Sequence, residues 1–169
     1  SLHQAGRSAA GPLVEVNLGA LPSESIALEL FGAEKDGRVT PGQLEQASGG
    51  TLVLDEVGDL DMDTQTKLLS ALEAGRFFRL GGTTPREPAF RIVATSNQDL
   101  EQKRSDGLFR EDLFYRLSAV TVQIPPLRAH REDIPDLINH YVQLITDSQH
   151  LPFRRFSTSS VNYLRNRPW

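Results

Sequence analysis

No cysteine occurs in the 169 residues, which excludes a disulfide framework and cysteine-built metal sites and suits a reducing cytoplasm. No apolar run approaches the roughly 18–20 residues a membrane-spanning helix requires, and the first residues carry no signal-peptide pattern. A basic excess is also missing. Eighteen Lys and Arg stand against 22 Asp and Glu, so a net charge of −4 gives the segment no bulk attraction for nucleic acid. His3, His130, His140 and His150 are scattered without the spacing of a ligand set, so no zinc site is expected. No internal repeat or low-complexity tract is visible. What remains is a length that fits one domain of ordinary size able to bury a core.

The chain is organised around Gly49-Gly50-Thr51-Leu52-Val53-Leu54-Asp55-Glu56-Val57-Gly58-Asp59. A short apolar run between a glycine pair and two adjacent carboxylates reads as a strand buried on both faces. At the carboxyl end of a parallel strand, where ligands sit, Asp55 and Glu56 have the form of a pair in which one carboxylate holds Mg²⁺ and the other handles water. On these residues alone a second reading stands beside it: the pair caps the next helix or faces solvent.

Along the chain, Pro12–Asn17 reads as a strand, and Pro22 opens a helix carried by Ile26, Leu28, Leu30 and Phe31 up to Gly32. Residues 33–42 read as a polar connection. Thr40-Pro41-Gly42-Gln43 has the form of a capping box, predicting a short helix from Pro41 to Ala47. Asp61 or Asp63 can cap a helix with Met62, Leu68, Leu69 and Leu72 at helical spacing, stopped by Gly75. Phe77–Leu80 and Glu87–Phe90 flank Gly81-Gly82 as a hairpin. Ile92–Asn97 reads as another buried strand, and helices follow from about Asp99 and over Arg110–Leu117. Val120–Ile124 reads as a strand ended by Pro125-Pro126. Asp133 begins an amphipathic helix with Ile134, Leu137, Ile138, Tyr141, Val142 and Ile145 inward, and Ser157 caps a last helix with Val161 and Leu164. Ser1–Gly11 has the composition of a helix tail entering a loop. Alternating strands and helices imply an α/β layer with a parallel sheet.

Five blocks in order carry a resemblance: Glu29-Leu30-Phe31-Gly32, the Gly49–Asp59 stretch, Phe109-Arg110-Glu111-Asp112-Leu113-Phe114-Tyr115-Arg116-Leu117, Pro125-Pro126-Leu127-Arg128, and Arg131-Glu132-Asp133-Ile134-Pro135. From about Gly11 to Trp169 the chain resembles the central AAA+ domain of bacterial enhancer-binding proteins, the NtrC family of sigma-54-dependent transcriptional activators. The resemblance implies an α/β, P-loop NTPase-like parallel sheet flanked by helices over residues 1–128, and the start of a C-terminal helical lid over 129–169. It implies ATP and Mg²⁺ as cofactors in the parent protein, a homo-oligomeric ring, contact with RNA polymerase through a sigma factor, DNA binding through a domain not in this chain, and a cytoplasmic location. Asp55 would coordinate Mg²⁺ and Glu56 would act on the hydrolytic water. Asn17 resembles the switch asparagine that holds that glutamate, and Asn97 the sensor of the γ-phosphate. Arg110 and Arg116 resemble arginines offered to a neighbouring subunit's nucleotide. Without the family, Asn97 reads as a turn cap, and the arginines as surface partners of Glu111 and Asp112.

Two departures qualify the resemblance. No G-x-x-x-x-G-K-[ST] occurs, since neither Gly49-Gly50 nor Gly81-Gly82 is followed by Lys. Without that phosphate cradle, weak or no ATP binding is expected. The family's phosphate loop and central strand lie upstream of Ser1, so the chain is expected to be a fragment with an incomplete sheet. Second, the family's G-A-F-T-G-A loop is absent. Ala33-Glu34-Lys35-Asp36-Gly37-Arg38-Val39-Thr40 carries charge and no aromatic residue, like the NtrX-like branch of response regulators. Sigma-54 remodelling in the usual way is therefore not expected. The leading expectation is an ATP-linked AAA+ module of a two-component transcriptional regulator. The alternatives are a non-catalytic oligomerisation scaffold and a different AAA+ remodelling ATPase.

Overall fold

In a computed structural model of the chain, His3, Gln4, Gly6 and residues 10–169 are described. The reading of Ser1–Gly11 as a helix tail falls largely outside the described residues. The remainder forms two compact units, one up to Val120 and one from Thr121.

The first unit is built on a three-stranded parallel sheet of β1 (Leu13–Asn17), β4 (Thr51–Asp55) and β7 (Arg91–Ala94), with β4 in the middle. Thr51, Leu52 and Leu54 are buried, as an apolar run between two parallel neighbours should be. Register sets Leu13 against Thr51 and Asn17 against Asp55, so the polar ends of β1 and β4 are level. The glycine pair is required where the sheet begins. A β-carbon on Gly50 would overlap the Pro12 carbonyl, so only glycine lets these backbones approach.

Helices α1 (Ser23–Phe31), α2 (Gln43–Gln46), α3 (Met62–Ala74), α4 (Leu100–Ser105) and α5 (Glu111–Leu117) complete the unit. Ile26, Leu30 and Phe31 from α1, Leu44 from α2, Leu68 and Leu69 from α3, and Leu113 from α5 join Val16, Leu52 and Leu54 in one core. The local signals act as they should. Asp61 Oδ1 accepts the Thr64 N–H at 2.7 Å to cap α3, and Gly75 ends it at φ 65°.

Three readings need correction in this unit. Residues 33–42 are not a plain connection. They form an antiparallel hairpin of β2 (Gly32–Lys35) and β3 (Arg38–Pro41), turned by Asp36 and Gly37 at φ 51° and 76°. Two positive φ values in a two-residue Asp-Gly turn match the twist of a hairpin, a signal the polarity of the segment hid. Pro41 consequently pairs with Gly32 in the hairpin instead of opening α2, whose N-cap is Gly42 with no side-chain cap. The Gly81-Gly82 hairpin is shorter than expected and its second strand falls elsewhere: β5 (Phe77–Phe78) pairs with β6 (Pro85–Arg86), the expected strand Glu87–Phe90 does not form, and Leu80 instead bridges to Ala33.

The expected strand Val120–Ile124 does not form. A strand exists only by pairing in a sheet, and none of the described sheets includes this segment; Val120 and Ile124 are more than 80% exposed (86% and 83%). In the second unit, α6 (Ile134–Gln149) and α7 (Thr158–Arg165) pack on each other, with Ser157 Oγ accepting the Ser160 N–H at 3.2 Å. The inward face expected of α6 is largely open: Ile134 is buried, Ile138 and Val142 are half-buried, and Leu137, Tyr141 and Ile145 are exposed. No described helix is long and apolar enough to cross a membrane.

Candidate functional site

Asp55 ends β4, and the chain then reverses sharply, with Glu56 in the left-handed region at φ 63°, ψ 51°. A β-carbon makes that conformation costly, by about 1–3 kcal/mol, and such residues persist where their surroundings hold them. The surroundings here are explicit. The Val57 N–H donates to Thr95 O at 3.0 Å and the Thr95 N–H to Leu54 O at 2.9 Å, so the end of β7 grips the turn from both sides. Thr95 Oγ1 donates to Asp55 Oδ1 at 2.9 Å, and the Asn97 N–H donates to Glu56 Oε2 at 3.0 Å. Both carboxylates are half-buried and each is oriented by one donor.

Asn17, Asp55, Glu56 and Asn97 thus lie at one end of the sheet, but not with the contacts their expected roles describe. The Asn17 side chain caps the short turn Leu18–Ala20, accepting the Ala20 N–H at 3.2 Å. It nevertheless faces the acidic turn across Gly19, on which a β-carbon would stand 3.5 Å from both Asn17 Oδ1 and Glu56 Cγ and 3.0 Å from Asp59 Oδ2. Asn97 meets Glu56 through its main chain, a role its side-chain type did not announce.

Behind the pair, the turn Val57–Asp59 is held by side chains from later in the chain. Lys103 Nζ donates to Gly58 O at 2.6 Å and Gln98 Nε2 to Asp59 Oδ1 at 2.6 Å. Helix α3 leaves this turn and carries one partner of each candidate arginine, Thr66 for Arg110 and Leu72 O for Arg116. The Arg110 guanidinium donates in bidentate fashion to Asp112, at 3.0 and 2.7 Å, and to Thr66 Oγ1 at 3.2 Å. The hydrogen bonds from Arg110 hold the Asp112 carboxyl below the usual carboxylate range, and the bonds to Asp112 raise Arg110 further. Arg116 donates to Leu72 O at 2.9 Å from an exposed position. Neither arginine lies in the core; the Arg110 side chain is 34% exposed. Neither is bonded to the acidic pair.

A second ionic cluster sits at the hairpins. Arg79, a buried charge, donates through Nε and one terminal nitrogen to both oxygens of Glu45 at 2.7 Å, and its other nitrogen lies 3.4 Å from Glu34. The Glu45 hydrogen bonds raise the Arg79 pKa above its ordinary value. Main-chain bonds between Glu34 and Leu80 (2.9 Å) and between Leu80 and Gly32 (3.0 Å) join hairpin β2–β3 to the loop of β5–β6.

A parallel sheet with an acidic pair at the carboxyl end of its central strand, flanked by helices, is the architecture of AAA+ modules of the P-loop NTPase type. More narrowly, the chain belongs to the sigma-54 interaction domain family, whose profile matches residues 1–123. It is 45% identical over 174 residues to the DNA-binding transcriptional regulator NtrC of Rhizobium meliloti (strain 1021), covering 100% of this chain and 36% of that protein. Among solved structures, NtrX from Brucella abortus in complex with ADP superposes with a TM-score of 0.91 at 40% identity, over 99% of this chain and 37% of that one. The same protein in complex with ATP superposes with a TM-score of 0.91 at 39% identity. The chain spans little more than a third of the length of these relatives. It is thus an AAA+ module of the sigma-54 interaction domain family.

Proposed function

We propose that this module is the ATP-linked centre of a two-component response regulator, with hydrolysis completed between neighbouring subunits of a ring. The observation that carries this reading is the pairing of Asp55 and Glu56 at the rim of the sheet, each held by one donor from the end of β7. The donor set fits the metal-and-water end of a magnesium–nucleotide site. Asp55 would hold Mg²⁺, which when bound neutralises phosphate charge, and Glu56 would take a proton from the attacking water. Asn97, following Thr95, would read the γ-phosphate, and Asn17 would face Glu56 across Gly19. The phosphate-gripping end is not supplied by this sequence, which has no G-x-x-x-x-G-K-[ST]. Arg110 and Arg116 would serve a neighbour's nucleotide, which requires the Arg110–Asp112 pair to open. An arginine supplied in this way is worth about 10³–10⁵ in rate.

The regulator acts in the cytoplasm, with DNA bound by a domain outside this chain and the helical region from residue 129 beginning the lid. Remodelling of sigma-54 polymerase is not part of the proposal. Hairpin β2–β3 ends in a tight turn, Lys35-Asp36-Gly37-Arg38, which offers charge and no aromatic tip. Efficient open-complex formation by the whole protein at a sigma-54 promoter would overturn that part.

The test of the ATP-linked reading is hydrolysis by the whole protein. Glu56→Gln and Arg110→Ala should each abolish nearly all turnover, the second by at least about 10³-fold. Unchanged turnover in both variants would overturn the roles given to Glu56 and Arg110, and no turnover by the unsubstituted whole protein would leave the scaffold reading. Calorimetry with ATP on this chain alone should show no binding, and micromolar affinity would contradict the account of the missing cradle.

A further inference from the structure

Gln65 lies at the centre of the first unit, fully buried, on the face of α3 that otherwise presents Leu68, Leu69 and Leu72. A polar side chain on that face is costly unless every group on it is paired. It is paired, and unusually far along the chain. Gln65 Nε2 donates to Leu60 O at 2.8 Å and to Leu108 O at 3.1 Å, and Gln65 Oε1 accepts the Arg110 N–H at 2.8 Å. The orientation of the amide is chemically fixed, because the opposite one would set its oxygen against two carbonyls and its NH₂ against an N–H.

The three groups belong to two segments. Leu60 closes the turn that begins with Glu56, and Leu108 and Arg110 bracket Phe109, whose buried ring anchors the loop entering α5. We infer that Gln65 is a positioning residue that fixes the Arg110 backbone relative to the acidic turn. The inference rests on the reading of Arg110 as an arginine offered to a neighbouring subunit. One rigid amide sets the point from which the guanidinium departs, while Asp112 and Thr66 hold only its far end. A change in the turn after Glu56 is therefore felt at the Arg110 N–H through this amide, beside Lys103, whose side chain bonds Gly58 O and whose carbonyl accepts the Leu108 and Phe109 N–H groups, and the guanidinium can swing from Asp112 without the loop moving.

Amide hydrogen exchange on this chain tests the clamp. In Gln65→Leu, which keeps bulk and removes all three bonds, protection at the Arg110 amide should fall by about tenfold while β1 and β4 keep theirs. Gln65→Glu keeps the acceptor and loses the donor when ionised. Its protection at Leu108–Arg110 should recover as the buried carboxyl is protonated on acidification, which Gln65→Leu cannot reproduce. Wild-type protection in Gln65→Leu overturns the inference, as does an equal loss over the whole unit or a pH profile shared by both variants.

The catalytic consequence is tested by mixing subunits of the whole protein. Gln65→Leu alone should hydrolyse ATP slowly, and an equimolar Glu56→Gln variant should restore turnover by offering a correctly placed Arg110 to intact carboxylates. Restoration of Arg110→Ala but not of Gln65→Leu by that partner overturns the positioning role. Failure to restore either overturns the trans reading of Arg110, and the exchange result still decides the clamp.

Discussion

The unit up to Val120 buries Leu30, Phe31, Leu52, Leu54 and Leu68 to 1% exposure or less, whereas in the unit from Thr121 the one described hydrophobic residue buried comparably is Ile134, at 3%. Helix α6 is no less amphipathic than the helices of the first unit, yet Leu137, Tyr141, Leu144 and Ile145 remain 37–57% exposed. The difference lies in what surrounds each apolar stripe. In the first unit, helices meet a sheet and one another, so each stripe is covered. In the second, among the described residues, α6 packs on α7 and on the short turn Arg131–Asp133 before it, and so few elements cannot enclose a core. A 16-residue helix is marginal by itself, so tertiary burial decides its stability, and here there is little of it.

Truncations test the contrast most strongly. Leu54→Ala should destabilise the first unit by about 3 kcal/mol, because the cavity is walled by β1, β7 and the core helices. Leu144→Ala should cost less than about 0.5 kcal/mol, since its side chain already meets water. Urea denaturation of the two variants reads both values; equal losses would dissolve the distinction between the units. Arg79→Ala comes next, as the largest effect of any single charge. It leaves Glu45 with only Arg86, at 3.8 Å, and removes the side-chain tie between the two hairpins, so the melting temperature should fall and amides of residues 32–41 should exchange faster, while Glu34→Ala does much less.

The same contrast explains what could be read from the chain before its fold. The acidic strand, the parallel order and the capped α3 were legible because each depends on local signals: an apolar run, an Asp at the cap, a Gly at the end. The α6 stripe was legible as a pattern but not as burial, because a period says which side is apolar and not whether anything covers it. Val120–Ile124 has strand composition but joins none of the described sheets, so propensity misled there. At the candidate site, residue types singled out Asp55 and Glu56 as an acidic pair at a strand end, but the left-handed Glu56 and the main-chain bond from Asn97 depend on β7 lying beside β4. Gln65 was signalled only faintly, as one amide at an apolar position of α3, and its partners 43 and 45 residues away appear only on folding.

Helix caps give a smaller test. Asp61 caps a helix packed into a core, so Asp61→Ala should cost about 1 kcal/mol in urea denaturation. Ser157 caps α7 in the open unit, where both hydroxyl and helix end are solvated. Ser157→Ala should fall at the low end, near about 0.5 kcal/mol.

The smallest effect concerns the pair that holds Arg110. Asp112 titrates below the usual carboxylate range in the folded chain because Arg110 donates two hydrogen bonds to it. A depressed folded pKa means that its contribution is complete above the unfolded value, about 3.9, and disappears as pH falls through the lower folded value. Between neutral pH and about 5 the pair should therefore be insensitive to pH. Stability measured for the chain and for Asp112→Asn should differ by a constant amount there, and the gap should close only below about pH 4. Solvent at both side chains, 34% and 46% exposed, keeps the gap small. A small gap suits the role proposed for Arg110: a buried pair like Arg79–Glu45 fixes geometry, whereas an exposed one can be exchanged for a more negative neighbour. A gap that closed well above pH 5, or one as large as that of Arg79→Ala, would place Arg110 among the structural charges and not among those free to reach another subunit.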